Sequence, residues 1–267
     1  MNSKYKGLII VIFTIALAYL LINPASNYER IDIVGSTSVQ PVAEKLAIAF
    51  MENHSDVRIN VQGGGSGMGI RSTEQGIADI GMSSKKLSED EKKDITDIEI
   101  GKEGIVIGVN NKNNVSDLTI EQIKGIFNGN IKNWKEVGGP DLPIHVITRE
   151  EGSGTRSAFE SIVMGGTEIR SDAVVQSSTE SVKQSVASDP GAIGFVSLAH
   201  MSDDVKALLV DGVEPSEETV ANGEYELQRP FLFLVKGKET GIVKEFLNWI
   251  KSPAGIEIIK KEGIVPT

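Results

Sequence analysis

Cysteine is absent from this chain of 267 residues. That excludes disulfides, thiolate metal sites, a cysteine nucleophile and a lipid-modified N-terminal cysteine. Histidine is scarce. His54, His145 and His200 are the only three, they form no metal-ligand spacing, and no metal site is expected. No block of Lys and Arg occurs outside the N-terminus, and the formal net charge is −10. A nucleic-acid partner is therefore not expected, and an anionic ligand would gain nothing from long-range steering. No residue pattern requires a cofactor. Hydrophobic content of 40% and charged content of 24% fit a globular chain, long enough for one large or two modest domains.

One stretch is almost devoid of charge. Lys4 and Lys6 precede an apolar run from Gly7 to Ile22, which reads as a secretory signal or an uncleaved membrane anchor. Ala25 and Ser26 suit a cleavage site, although Pro24 makes the context imperfect. In either case residues 1–28 are expected to be a signal or anchor with its linker. The remainder is expected to lie outside the cytoplasmic membrane.

Three Ser/Thr-Gly stretches each follow an apolar run of strand character. They are Gly35-Ser36-Thr37-Ser38 after Ile31–Val34, Gly63-Gly64-Gly65-Ser66-Gly67 after Val57–Val61, and Gly152-Ser153-Gly154-Thr155 after Ile144–Ile147. Helical spacing follows each of them, as in Val42, Leu46, Ala49 and Phe50, with Pro41 where a first helical turn tolerates it. A strand–loop–helix turn leaves backbone N–H groups at the helix N-terminus, where the dipole favours an anion. Glycine permits close approach, and hydroxyls supply adjustable donors. With Arg149 just before the third loop, the pattern predicts one tetrahedral oxyanion gripped from several sides. Further along, Thr119 and Gln122 predict a capped helix over 120–127. Trp134 is an apolar anchor, and strands are expected at 98–110, 192–196 and 230–235. Strands alternate with helices, so the expected class is α/β with largely parallel sheets and helices on both faces.

These stretches resemble the phosphate-binding proteins that serve as substrate receptors of phosphate ABC transporters. The resemblance is carried by Gly-Ser-Thr-Ser-Val-Gln-Pro at 35–41, Gly-Gly-Gly-Ser-Gly at 63–67 and Ala-Asp-Ile-Gly-Met-Ser-Ser at 78–84. It continues in Ile-Phe-Asn-Gly at 126–129, Asn-Trp at 133–134, Arg-x-x-Gly-Ser-Gly-Thr at 149–155 and Gly-Ala-Ile-Gly-Phe-Val at 191–196. It implies a two-lobed, type II periplasmic-binding-protein-like clamp. Lobe one would hold residues 29–109 plus 230–267, and lobe two residues 110–229. It also implies phosphate ligation by Thr37, Ser38, Ser66, Ser84, Arg149, Ser153, Gly154 and Thr155. Gly65, Asp79 and Glu151 would support them, with Glu151 holding Arg149, whose planar fork suits two phosphate oxygens. The partners implied are inorganic phosphate and a membrane permease, bound by a monomer. Ser84 departs from family members that carry an aspartate there to accept the ligand's proton.

Three other readings compete. A receptor for sulfate or molybdate would use the same dipoles. A secreted phosphatase would need a base beside a serine, and His145, four residues before Arg149, is the candidate. A sensor input domain would use the same clamp, but no kinase or cytoplasmic domain is expected in this sequence to serve it.

Overall fold

Residues 28–267 are described by a computed structural model, and the expected signal or anchor segment lies outside them. Among the described residues no helix is long and apolar enough to cross a membrane. Strand β1 (Glu29–Gly35) leads into helix α1 (Gln40–Asn53), β2 (Val57–Gly63) into α2 (Ser66–Glu74), and β3 (Ile80–Ser83) into a loop before the long strand β4 (Ile95–Asn110). Then come β5 (Asp117–Leu118), α3 (Ile120–Phe127), β6 (His145–Arg149), α4 (Gly154–Phe159), β7 (Val174–Gln176), α5 (Thr179–Ser188) and β8 (Ala192–Ser197). The chain ends with β9 (Val205–Ala207), β10 (Leu209–Val210), α6 (Glu217–Ala221), β11 (Gln228–Lys236), α7 (Gly241–Ile250), α8 (Pro253–Lys261) and β12 (Val265–Pro266).

The main sheet runs β2-β1-β3-β11-β4-β8-β6-β7. It is mixed rather than largely parallel. β1 is parallel to β2 and β3, and β6 is parallel to β7 and β8, but β11 and β4 run antiparallel to their neighbours. The α/β class holds because each parallel trio is built from strand–helix crossovers. The antiparallel strands appear where the chain passes between two apolar cores.

The first core joins β1–β3 and β11 to α1, α7 and α8, with Phe50, Phe231, Phe233 and Phe246 fully buried. α1 faces it with Val42, Ala43, Leu46, Ala47 and Phe50. The second core is built on β4, β6 and β8, with Phe127, Phe159 and Phe195 in mutual ring contact at 4.4–5.8 Å. Trp134 anchors it and donates its indole N–H to the Gly191 carbonyl at 3.0 Å. Strand β4 passes from one core to the other. Ile100 packs in the first core, but Ile105, Ile107 and Val109 already pack in the second. The changeover on β4 therefore lies at 101–104, where Gly101 and Gly104 carry no side chain to commit to either core. The return, near Arg229-Pro230, falls between Leu227 of the second core and Phe231 of the first. This topology brings the C-terminal ends of β1, β2, β3, β6 and β7 towards one cleft, the usual place for a ligand in open α/β sheets.

Candidate oxyanion site between the two cores

The first loop departs from β1 at Gly35, which has φ of +144° and a Cα so close to β3 that a Cβ would lie 2.3 Å from the Met82 carbonyl oxygen. Glycine is the residue that tolerates both conditions. The turn that follows presents Ser36, Thr37 and Ser38. The second loop ends at Gly65, the residue before α2, and puts Ser66 at the first helical position. Ser84 emerges at the end of β3. On the opposite side, β6 ends at Arg149 and Ser153 caps α4, its hydroxyl accepting the Arg156 N–H at 3.3 Å. Gly154 and Thr155 therefore face the cleft from the first turn of α4.

The hydroxyls form one buried cluster. Ser38 Oγ lies 3.0 Å from Thr155 Oγ1 and 3.0 Å from Thr179 Oγ1. Thr37 Oγ1 lies 3.4 Å from Thr179 Oγ1. The Ser66 hydroxyl accepts the Ser84 N–H at 3.0 Å and lies 3.3 Å from Ser84 Oγ. Gly154 closes the gap between the two sides. A Cβ there would lie 2.1 Å from Ser66 Oγ and 2.6 Å from Ser84 Oγ. The loops also meet through their backbones, with Gly67 N–H donating to the Gly152 carbonyl at 2.9 Å.

Arg149 is 1% exposed. Its Nη1 donates to Thr179 Oγ1 at 3.2 Å, while Nε and Nη2 grip the two carboxylate oxygens of Glu150 at 2.9 Å each. Two expectations change here. The residue that holds Arg149 is Glu150, not Glu151, which is exposed. The turn at 150–152 folds the nearer carboxylate back onto its neighbour's guanidinium and leaves Glu151 in water. The side edge of the guanidinium is engaged by Glu150, so only the end edge faces the hydroxyls. Asp79 lies away from the hydroxyl cluster. It precedes β3, five residues before Ser84 and about 16 Å away along an extended strand, where its carboxylate accepts the Asp32 N–H at 2.8 Å. His145 is exposed and bonded to Asp189 at 2.7 Å, outside the cluster.

Five residues at or beside the cluster escaped the sequence reading. Ser36 donates its hydroxyl to Ser84 Oγ at 2.9 Å. Thr179 opens α5 and joins both sides of the cluster; the Ser177-Ser178-Thr179 run after β7 is a fourth strand–loop–helix turn, inconspicuous because it lacks glycine. Arg229 donates from Nη1 to Ser84 Oγ at 3.1 Å and from Nε to Glu103 Oε1 at 2.9 Å. Glu103 is fully buried, and nothing in its strand, which also carries Asp97, Glu99 and Lys102, marks it out. Burial first, and then the nearby Arg149 charge, pull the Arg229 pKa down, against Glu103, which raises it. His200 lies by the Thr37 backbone with Nδ1 buried and unpartnered, and burial, then the Arg229 charge, push its pKa down to about 4. The imidazole is therefore neutral at pH 7.

A PBP superfamily domain matches residues 23–254. The phosphate-binding protein PstS of Bacillus subtilis is 37% identical over 88% of this chain and 79% of its own length. The chain belongs to the phosphate-binding proteins of this superfamily. A candidate phosphate ABC transporter substrate-binding protein from Clostridium perfringens, solved with bound phosphate, superposes with a TM-score of 0.87 at 40% identity, covering 90% of this chain and all of that one. An ABC-type phosphate transport receptor from Vibrio cholerae gives 0.76 at 36% identity over 89% of this chain and all of that one.

Proposed function

We propose that this protein is the extracytoplasmic receptor of a phosphate ABC transporter. It captures inorganic phosphate between two lobes and delivers it to the membrane permease. The observation that carries this reading is the buried meeting of Ser38, Ser66 and Ser84 from one side with Thr155, Thr179 and Arg149 from the other. Neutral donors in a water-excluded cleft bind an oxyanion strongly because the local dielectric is low. The reading assigns ligation to Thr37, Ser38, Ser66, Ser84, Arg149, Gly154 and Thr155, with Ser153 ordering the turn of α4. The lobes divide near residues 101–104 and 228–230, and closure is a hinge motion driven by preferential binding to the closed form. The N-terminal basic and apolar run carries the chain to the outer face of the membrane, where it works as a monomer.

Binding is favoured over hydrolysis by the partners of these hydroxyls. The Ser38, Ser66 and Ser84 hydroxyls meet other hydroxyls, a backbone N–H and a guanidinium. None of these is a base able to activate a nucleophile.

Calorimetric titration with phosphate, after stripping retained ligand by partial unfolding and with sulfate as competitor, tests the reading. Arg149→Ala is expected to weaken phosphate binding by on the order of 100-fold, the scale of a lost charge-assisted hydrogen bond. Tight sulfate or molybdate binding would keep the clamp and change its ligand, and no oxyanion binding at all would overturn the assignment.

A further inference from the structure

The phosphate-receptor reading rests on one arginine, yet the hydroxyl cluster touches two. Arg229 is 3% exposed and Glu103 fully buried. The Arg229 Nε and Nη2 groups both donate to Glu103 Oε1, while Oε2 accepts the Ser197 hydroxyl and the Ala199 N–H. Glu103 is thus saturated. A core ion pair would need nothing more, but the remaining guanidinium nitrogen, Nη1, points away from Glu103 to Ser84 Oγ.

That contact changes what Ser84 can do. Its oxygen receives two donors, Arg229 Nη1 and the Ser36 hydroxyl. Its own hydrogen is then left to point inward, towards Ser66 or a ligand, so Ser84 serves the site as a donor. Glu103, the carboxylate on the Ser84 side, already accepts two donors on each oxygen and has no site left for a ligand's proton, while Glu150 is turned to the side edge of Arg149. Two buried guanidinium groups also face one cluster. Like charges at short range in a poorly solvated site repel, and an anion between them relieves that repulsion.

We propose that Arg229, held by Glu103, is a second cationic binding residue of the oxyanion site and selects the dianionic form of its ligand. This rests on the phosphate-receptor reading. A proton retained by the ligand gives up part of the attraction to both guanidinium groups, whereas each additional charge gains from both.

The test is phosphate calorimetry on the full chain at pH values on either side of the second ionisation of inorganic phosphate, which lies about one unit above the value near 6 of phosphate esters. Wild type is compared with Arg229→Gln/Glu103→Gln, which removes both charges and leaves no carboxylate buried alone. Circular dichroism and thermal melting check the fold. Wild-type affinity should rise through the ionisation. The folded double variant should bind at least about 30-fold more weakly at the higher pH and lose most of that rise. A folded double variant within about threefold of wild type, with the same pH profile, would overturn the proposal. If the double variant does not fold, Arg229→Lys decides. It keeps the charge and loses the fork, so binding weakened by less than about tenfold with the pH rise retained supports the proposal, and loss of the pH rise despite the retained charge overturns it. Failure of wild type to bind phosphate at either pH would instead sink the receptor reading.

Discussion

Gly154 shows how little room the site allows a single residue. The Cβ of an alanine would stand 2.1 Å from Ser66 Oγ and 2.6 Å from Ser84 Oγ, both buried. Gly154→Ala is expected to force the two sides apart, lowering phosphate affinity on the order of tenfold and stability by about 1–3 kcal/mol; calorimetry and thermal melts would read both. His200 acts through pH. Its folded pKa lies at about 4, below the ordinary 6.5, so between these values the unfolded chain binds a proton that the folded chain refuses. Stability should therefore fall as pH drops from about 6.5 to about 4, by up to about 3 kcal/mol. Urea unfolding at several pH values should show this loss in wild type and a shallower one in His200→Gln. A matching slope in both would show that the carboxylates alone cause the acid lability.

At the scale of the element, the helices were the most legible part. The Thr119–Gln122 pair predicts the capping box observed on α3, with the Thr119 hydroxyl accepting the Gln122 N–H at 3.2 Å and Gln122 answering to the Thr119 N–H at 2.9 Å. Thr119→Ala is expected to cost about 1 kcal/mol in chemical denaturation with phosphate affinity unchanged, since α3 stands apart from the cluster. Phe50 on α1 packs edge-on against Phe246 and Trp249 and stacks on His54. Truncation to alanine should cost about 3–5 kcal/mol. Strand direction was harder to read. Apolar runs identify β4 and β11 as strands, but nothing in an apolar run states which neighbour it will pair with or in which direction. The mixed sheet follows from long-range pairing of β11 with both β3 and β4.

For the whole molecule, the relevant quantity is the coupling of ligand to closure. A ligand gripped from both cores binds the folded, closed chain and not the unfolded one. Phosphate at about 100 times its dissociation constant should therefore add about 2.7 kcal/mol to the unfolding free energy. Small-angle scattering should show the stripped protein contracting when phosphate is added. An unchanged radius would mean that the two cores are already fixed in the arrangement seen here.

The three glycine loops, Arg149 and the α/β alternation were readable because each is local. A strand end, a turn needing positive φ and a capped helix are written within about ten consecutive residues. Local pattern could not decide between Glu150 and Glu151, which are adjacent carboxylates differing only in which way a tight turn aims them. It could not place Asp79, whose motif lies beside Ser84 in sequence but at the other end of an extended strand. Nor could it find Arg229 and Glu103, which are 126 residues apart and meet only because β11 returns beside β4. The sequence by itself determined the kind of site, hydroxyls and N–H dipoles at helix starts with a guanidinium beside them. Only the tertiary structure decided the charge balance of that site, because buried ion pairs are set by which strands become neighbours.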